Sequence, residues 1–247
     1  QCGKCEHNIF THFPKDPNCE ICTLGRPQRA SCKPKAFPDA DALPKPLAWL
    51  DAITADHKII NEEDESREQD RVACVVLDRF TYWLQGYPAP QKSAAESKKA
   101  IQKCCGPQGK AKHVYTDNSK EFKTCFEDLQ WSHDTSTPHR SETNAIAEAA
   151  VKRVNGGTCC ALAQSGFADS WWHLAMTTYC FLHNAVDAMA SGQTSWQMRF
   201  GEPFPGPQIA FGASLMYHPT SSQDLARLPK LGQRQLPGLF VGYAQQA

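Results

Sequence analysis

Apolar positions change their period several times along the chain, and each change marks an element. Leu47 to His57 is mostly apolar and carries Asp56 near its end. Val72 to Tyr87 follows, with Val75, Val76, Leu77, Phe80, Tyr82 and Trp83, residue types that favour strands. The two runs together predict a hairpin pair of central strands. Ser93 to Cys105 predicts a helix, and His113 to Asp117 a short buried strand with its acid at the C-terminal end. A polar run, His139 to Asn144, predicts a loop leading into a helix over Thr143 to Val154, whose apolar face is Ile146, Ala150, Val151 and Val154. Trp171, Trp172 and His173 open a further apolar helix that runs through Leu182, which places Trp131, Trp171 and Trp172 in the core. From Thr194 to Tyr243, Gly, Pro and aromatic residues at intervals predict a few short strands joined by turns. Strand and helix alternation after an opening meander predicts an α/β sheet with helices packed over it.

The 247 residues can bury a large domain with a smaller one beside it. Between them, Pro34, Pro38, Pro44 and Pro46 give the stretch around 33–46 a linker composition. No run reaches the apolar length of a membrane helix and none resembles a signal peptide, so the expectation is a soluble, intracellular protein without a membrane partner. A start at Gln1 and a stop just after Tyr243 point to a fragment of a polyprotein. The formal net charge of zero argues mildly against nucleic-acid binding, since phosphate affinity comes from Lys and Arg. Basic residues nonetheless cluster locally at Lys33, Lys35 and Lys45, from Lys98 to Lys112, and from His139 to Arg153.

Twelve cysteines without a secretory signal indicate thiols and metal ligands rather than disulfides. Six candidate ligands crowd the N-terminus: Cys2, Cys5, His7, His12, Cys19 and Cys22. A loop-rich segment with so little apolar content needs a metal such as zinc to fold. Two sets compete, His7, His12, Cys19 and Cys22 or the all-thiolate Cys2, Cys5, Cys19 and Cys22. The adjacent pairs Cys104-Cys105 and Cys159-Cys160 fall on predicted helices and are expected to be core or surface thiols.

Three acids stand in distinctive contexts: Asp56 in LDAITADHKI, Asp117 in AKHVYTDNSKEF and Glu148 in TPHRSETNAIAEAAVKRV. Carboxylates are the ligands that hold Mg²⁺ or Mn²⁺ with positions left open for water and substrate, and phosphodiester chemistry uses two such ions. Asp51 is a rival to Asp56, but five residues apart on an unbroken strand the two face opposite ways. Glu142 is a weaker rival to Glu148, and Lys152 falls on the same helical side as Glu148.

In order and spacing, Asp56, YTDNSKEF and NAIAE resemble the D-D-E integrase core of retroviruses and retrotransposons. The segments WHLAMTTYCFLHNAV, GQTSWQMRFGEPFPG, IAFGASLMYH and KLGQRQLPGLFVGYA resemble the downstream part of copia-type integrases. The resemblance spans about His7 to Tyr243. It implies a ribonuclease-H-like mixed sheet flanked by helices, with a small N-terminal zinc-binding module and a short β-rich C-terminal extension. The boundaries expected are 1–32 for the zinc module, 33–46 for the linker, 47–193 for the catalytic core and 194–247 for the extension.

The same resemblance favours Asp56 over Asp51 and the set His7, His12, Cys19 and Cys22 for zinc. It implies Asp56, Asp117 and Glu148 as catalytic Mg²⁺ or Mn²⁺ ligands, with His139, Arg140 and Lys152 as DNA contacts. The activity implied is 3′-end processing of element DNA and its strand transfer into target double-stranded DNA, by a nuclear homo-oligomer. Two departures stand out: a shorter interval between Asp117 and Glu148, and Ala145 where the family commonly has Gly, which together imply a shorter, stiffer catalytic loop. A catalytically inactive or domesticated nucleic-acid-binding module is the alternative, and a nuclease acting on RNA–DNA hybrids a further one.

Overall fold

The structure is a computed structural model that describes residues 7–27, 45–106, 108–135 and 145–244. Its centre is a five-stranded sheet of β1 (Ala52–Ile59), β2 (Val72–Asp78), β3 (Leu84–Ala89), β4 (His113–Thr116) and β5 (His133–Thr135). The spatial order is β3-β2-β1-β4-β5. The first three strands pair antiparallel, whereas β4 and β5 join β1 in parallel. The helices are α1 (Glu20–Gly25), α2 (Ala94–Cys105), α3 (Lys120–Leu129), α4 (Ala145–Ser165), α5 (Trp172–Val186), α6 (Ser195–Phe200) and α7 (Ser222–Leu225). This is the ribonuclease-H-like mixed sheet flanked by helices. A two-stranded sheet of β6 (Ser214–Tyr217) and β7 (Leu236–Leu239) follows in the C-terminal part.

Alternation along β2 explains the two layers. Cys74 and Val76 enter one core with Ile53, Ile101, Phe122 and Phe126, beneath α2 and α3. Ala73 and Val75 enter the other with Val154, Met176 and Tyr179, beneath α4 and α5. A strand covered on both faces must be apolar throughout, which is why its sequence, VACVVLD, shows no polar alternation.

Val72 to Tyr87 is two strands rather than one. The Asp78 carboxylate accepts N–H groups from Phe80 and Thr81 and the Thr81 hydroxyl, at 3.2, 2.7 and 2.7 Å, and so nucleates a turn. Its other oxygen accepts from Leu50 N–H at 2.9 Å, which ties the turn to the start of β1. The edge strand β3 is secured by the buried Asn184, which accepts from Leu84 N–H and donates to Leu84 carbonyl oxygen at 2.9 and 2.8 Å.

The helix carrying Glu148 runs on to Ser165, past Val154 where the sequence pattern ends it and through the Gly156-Gly157 pair. A Cβ on Gly157 would sit 2.1 Å from the Tyr179 ring, so the glycine exists to let α4 and α5 touch backbone to ring. The segment after Thr194 is also not all strand and turn. Thr194 and Gln197 form a reciprocal capping box that opens α6, because each satisfies a backbone N–H of the other.

Alanine is the better helix former by about 1 kcal/mol, yet Gly157→Ala is expected to lower the melting temperature, since overpacking against Tyr179 costs about 2 kcal/mol. The atoms nearest a Cβ at Gly156 belong to the Arg26 side chain, at 3.0 Å and not to a rigid ring, so Gly156→Ala should lower melting less than Gly157→Ala.

Candidate active site and metal centres

Parallel pairing of β1 and β4 ends with Ala55 opposite Thr116, and Asp56 and Asp117 are the next residues on the two chains. Asp56 is half-buried within β1, opposite Val75 of β2. Asp117 follows β4 and precedes α3, in a turn where Ser119 N–H reaches its carboxylate at 3.4 Å. Thr116 beneath it donates to the Asp117 carbonyl at 2.8 Å and accepts from His133 Nε2, also at 2.8 Å, which fixes the end of the strand. Glu148 lies in the first turn of α4, where unpaired N–H groups favour an anion. Its contact with Lys152, at 3.9 Å with the lysine side chain 80% exposed, is a weak surface pair.

These three acids share one electrostatic neighbourhood. The Asp56 carboxyl is pushed up to about 6, first by burial and further by the facing charges of Asp117 and Glu148, while the His57 N–H and Lys92 oppose the rise. Half-buried like charges of this kind are relieved by a cation.

Asp51 is committed elsewhere. It accepts N–H groups from Leu47 and Ala48 at 2.8 and 2.9 Å and pairs with Lys112 at 2.7 Å, ahead of β1. His57 is also spoken for. Ser97 Oγ donates to the Ser93 carbonyl and so accepts from His57 Nε2 at 2.9 Å, and the ring stacks on Phe122 at 4.2 Å. Burial depresses its pKa to about 4, so the ring is neutral and structural.

Sequence reasoning missed Lys92, which follows β3 and reaches Glu121 at 3.7 Å. Its charge bears on both Asp56 and His57. A lysine in a short polar connection carries no local signal, because its neighbours come from β1 and α3. His139, Arg140 and Glu142, like Cys2 and Cys5, lie outside the described residues.

The second centre is the N-terminal module. His7, His12, Cys19 and Cys22 offer ligand atoms within 4.8 Å of one another, the one such grouping of three or more among the described residues. Ligand atoms of a tetrahedral zinc lie about 3.5 Å apart. His7 donates Nδ1–H to the Pro14 carbonyl at 2.8 Å, which leaves Nε2 with a lone pair, and that atom is buried without a partner. His12 Nε2 is likewise buried and unpartnered. Cys22 N–H, followed by His7 and the other neighbouring donors, lowers the Cys19 thiol, the direction that favours a metal-binding thiolate. The four residues fit zinc.

This module is fastened to the core. Gly25 approaches the Cys160 backbone so closely that a Cβ would lie 2.8 Å from it. Thr11 donates to buried Asp187 at 2.6 Å, and the same carboxylate meets His183 at 2.6 Å.

The chain is 26% identical over 140 residues, 54% of its length, to the retrovirus-related Pol polyprotein from transposon RE2 of Arabidopsis thaliana. The chain is integrase-like in fold and similar in sequence to a retrotransposon Pol polyprotein. It spans 10% of that polyprotein's length. In fold it is similar to a chain of the simian T-cell lymphotropic virus intasome in complex with PP2A regulatory subunit B56 gamma, with TM-score 0.54 and 16% identity over 92% of this chain and 79% of that one. The HTLV-2 integrase catalytic core domain in complex with magnesium aligns over 62% of this chain and 98% of its own, at TM-score 0.48 and 17% identity. No protein-family profile matches the integrase-like chain.

The Asp56 assignment has a pH signature. A folded-state pKa near 6 against 3.8 unfolded means the folded chain holds the extra proton between those values. The stability this group contributes is therefore complete below about pH 4 and is lost as pH rises through about 6. With no divalent cation added, Asp56→Asn should melt higher than the parent at pH 8, by about 2 kcal/mol after solvent screening, and the difference should close toward pH 4.

Proposed function

We propose that the chain is the integrase segment of a copia-type polyprotein, a D-D-E polynucleotidyl transferase acting on double-stranded DNA. The observation that carries this reading is the adjacency of Asp56 and Asp117 at the end of the β1–β4 pairing, with the charge of Glu148 facing Asp56. Two Mg²⁺ or Mn²⁺ ions, when bound, would supply charge stabilisation for the attacking and leaving oxygens of an in-line displacement.

The protein's own part is positional. Asp56 is held by the strand, Asp117 by the turn over Thr116, and Glu148 by the first turn of α4. Three carboxylates on three separate elements can face a phosphodiester from different sides. Lys152, on the outer side of α4, and His139 and Arg140 would contact DNA phosphates, which fixes register without reading sequence. Lys92 would hold the acids in place before metal and substrate arrive. The module residues His7, His12, Cys19 and Cys22 would hold zinc as a structural ion.

The assembly carrying out the reaction is proposed to be a homo-oligomer on DNA. Support comes from the structural relative described as an intasome.

A strand-transfer assay with a labelled duplex bearing a recessed 3′ end, supercoiled target and Mn²⁺ should give joined product that Asp117→Asn abolishes by at least about a thousandfold while DNA binding persists. Joined product from Asp117→Asn would defeat the assignment, and absent product from a folded, DNA-binding parent would favour the inactive binding module. Zinc analysis provides a separate check: one equivalent should co-purify with the parent and be lost from Cys19→Ser. Unchanged metal content in that variant would remove Cys19 from the ligand set.

A further inference from the structure

A cavity of about 490 Å³ opens between the edge strand β3, the C-terminal end of α2, and α6. Cys104 at its wall lies about 10 Å along α2 from Ser97, the residue that holds His57, so this space is separate from the acidic site. Its walls are aromatic: Trp83, Phe181, Trp196, Phe200 and Tyr243. Phe200 is 51% exposed at its rim.

The charged groups lining the cavity are all cations, Arg199 and Lys103. The Arg199 guanidinium lies 3.9 Å from the Trp49 ring centre and 4.4 Å from that of Trp83, in the corner between two rings set 83° apart. Rings so oriented cannot both stack on one plane, so the polar contacts of its N–H edge decide how well the group is satisfied. That edge has one hydrogen bond, to the Cys104 carbonyl at 3.4 Å, and no carboxylate partner among the described residues. Asp78 acts on it only from beyond ion-pair distance, and a half-buried guanidinium without a directly paired anion is costly unless one completes it. A larger cavity, about 560 Å³ beside α1 and α4, lacks this bias, because Lys58 there is balanced by Asp64 and Asp169.

Aromatic faces combined with cations alone fit a ligand that is planar and anionic at once, which a nucleotide is. We propose that this cavity binds an unpaired nucleotide of single-stranded nucleic acid, its base stacked among Trp83, Trp196 and Phe200 and its phosphate on Arg199 and Lys103. Aromatic stacking with a nearby cation tolerates any base, so the site would grip a strand without reading it. An unpaired overhang or displaced strand could be held there while duplex DNA occupies the acidic site.

The test is tryptophan fluorescence of the whole chain titrated with 5′-phosphorylated tetrathymidylate, in buffer with no added divalent cation. Saturable quenching is expected, weakened about tenfold by Arg199→Gln and roughly tenfold by Phe200→Ala. Phe200 is half exposed, so its variant should melt like the parent and keep the test valid if Arg199→Gln fails to fold. Unchanged affinity in Phe200→Ala would overturn the proposal. So would a blunt duplex of about twenty base pairs competing equally per nucleotide, or a proline-rich peptide quenching where the oligonucleotide does not. Because neither variant touches Asp56, Asp117 or Glu148, loss of oligonucleotide binding with strand transfer on recessed duplex retained would separate this site from the proposed catalytic one.

Discussion

Everything about the acidic site depends on the parallel pairing of β1 with β4. Antiparallel pairing runs neighbouring strands in opposite directions and cannot bring the exits of two strands together. Parallel pairing can, and here it stops at Ala55 and Thr116, so that two aspartates leave the sheet side by side. The flanking layers exist to hold that register: α2 and α3 close one face and α4 and α5 the other. Glu148 then joins the pair because α4 begins beside them, and α4 is placed by the contact of Gly157 with Tyr179 deep in the second layer.

The site is electrostatically unfinished. Burial raises the Asp56 pKa and the neighbouring acids raise it further, while Lys92 supplies a partial counterweight. The polypeptide tolerates this because the strands and the first turn of α4 fix the backbone independently of the side chains. Half-buried like charges gathered in this way are what a cation would relieve.

How much of this the sequence reveals depends on how local each cause is. The acids sit in short contexts whose strand or helix character is visible in neighbouring residues. The division of β2 from β3 is not visible, since the Asp78 turn is completed by Leu50, whose N–H comes from before β1. Nor is the length of α4, because Gly156-Gly157 looks like an ending until Tyr179 is placed against it. The opening of α6 was legible in principle, as Thr194 and Gln197 have capping-box spacing, but the glycines and prolines around them suggest turns and strands. Lys92 becomes significant only when β1 and α3 are brought to it. The candidate zinc ligands, by contrast, are crowded into one short stretch, and four of them gather within bonding reach of a single ion.

The hydrogen bond from Thr11 to Asp187 joins residues near opposite ends of the sequence, and it is buried. Asp187 also serves His183, so its two oxygens are divided between the N-terminal module and α5. A polypeptide beginning at residue 47 would leave one of those oxygens inside the protein with no hydroxyl to satisfy it. The small module is thus part of the core's interior chemistry, and the two are expected to fold as one cooperative unit and to accept substitutions at positions 11 and 187 only as a matched pair.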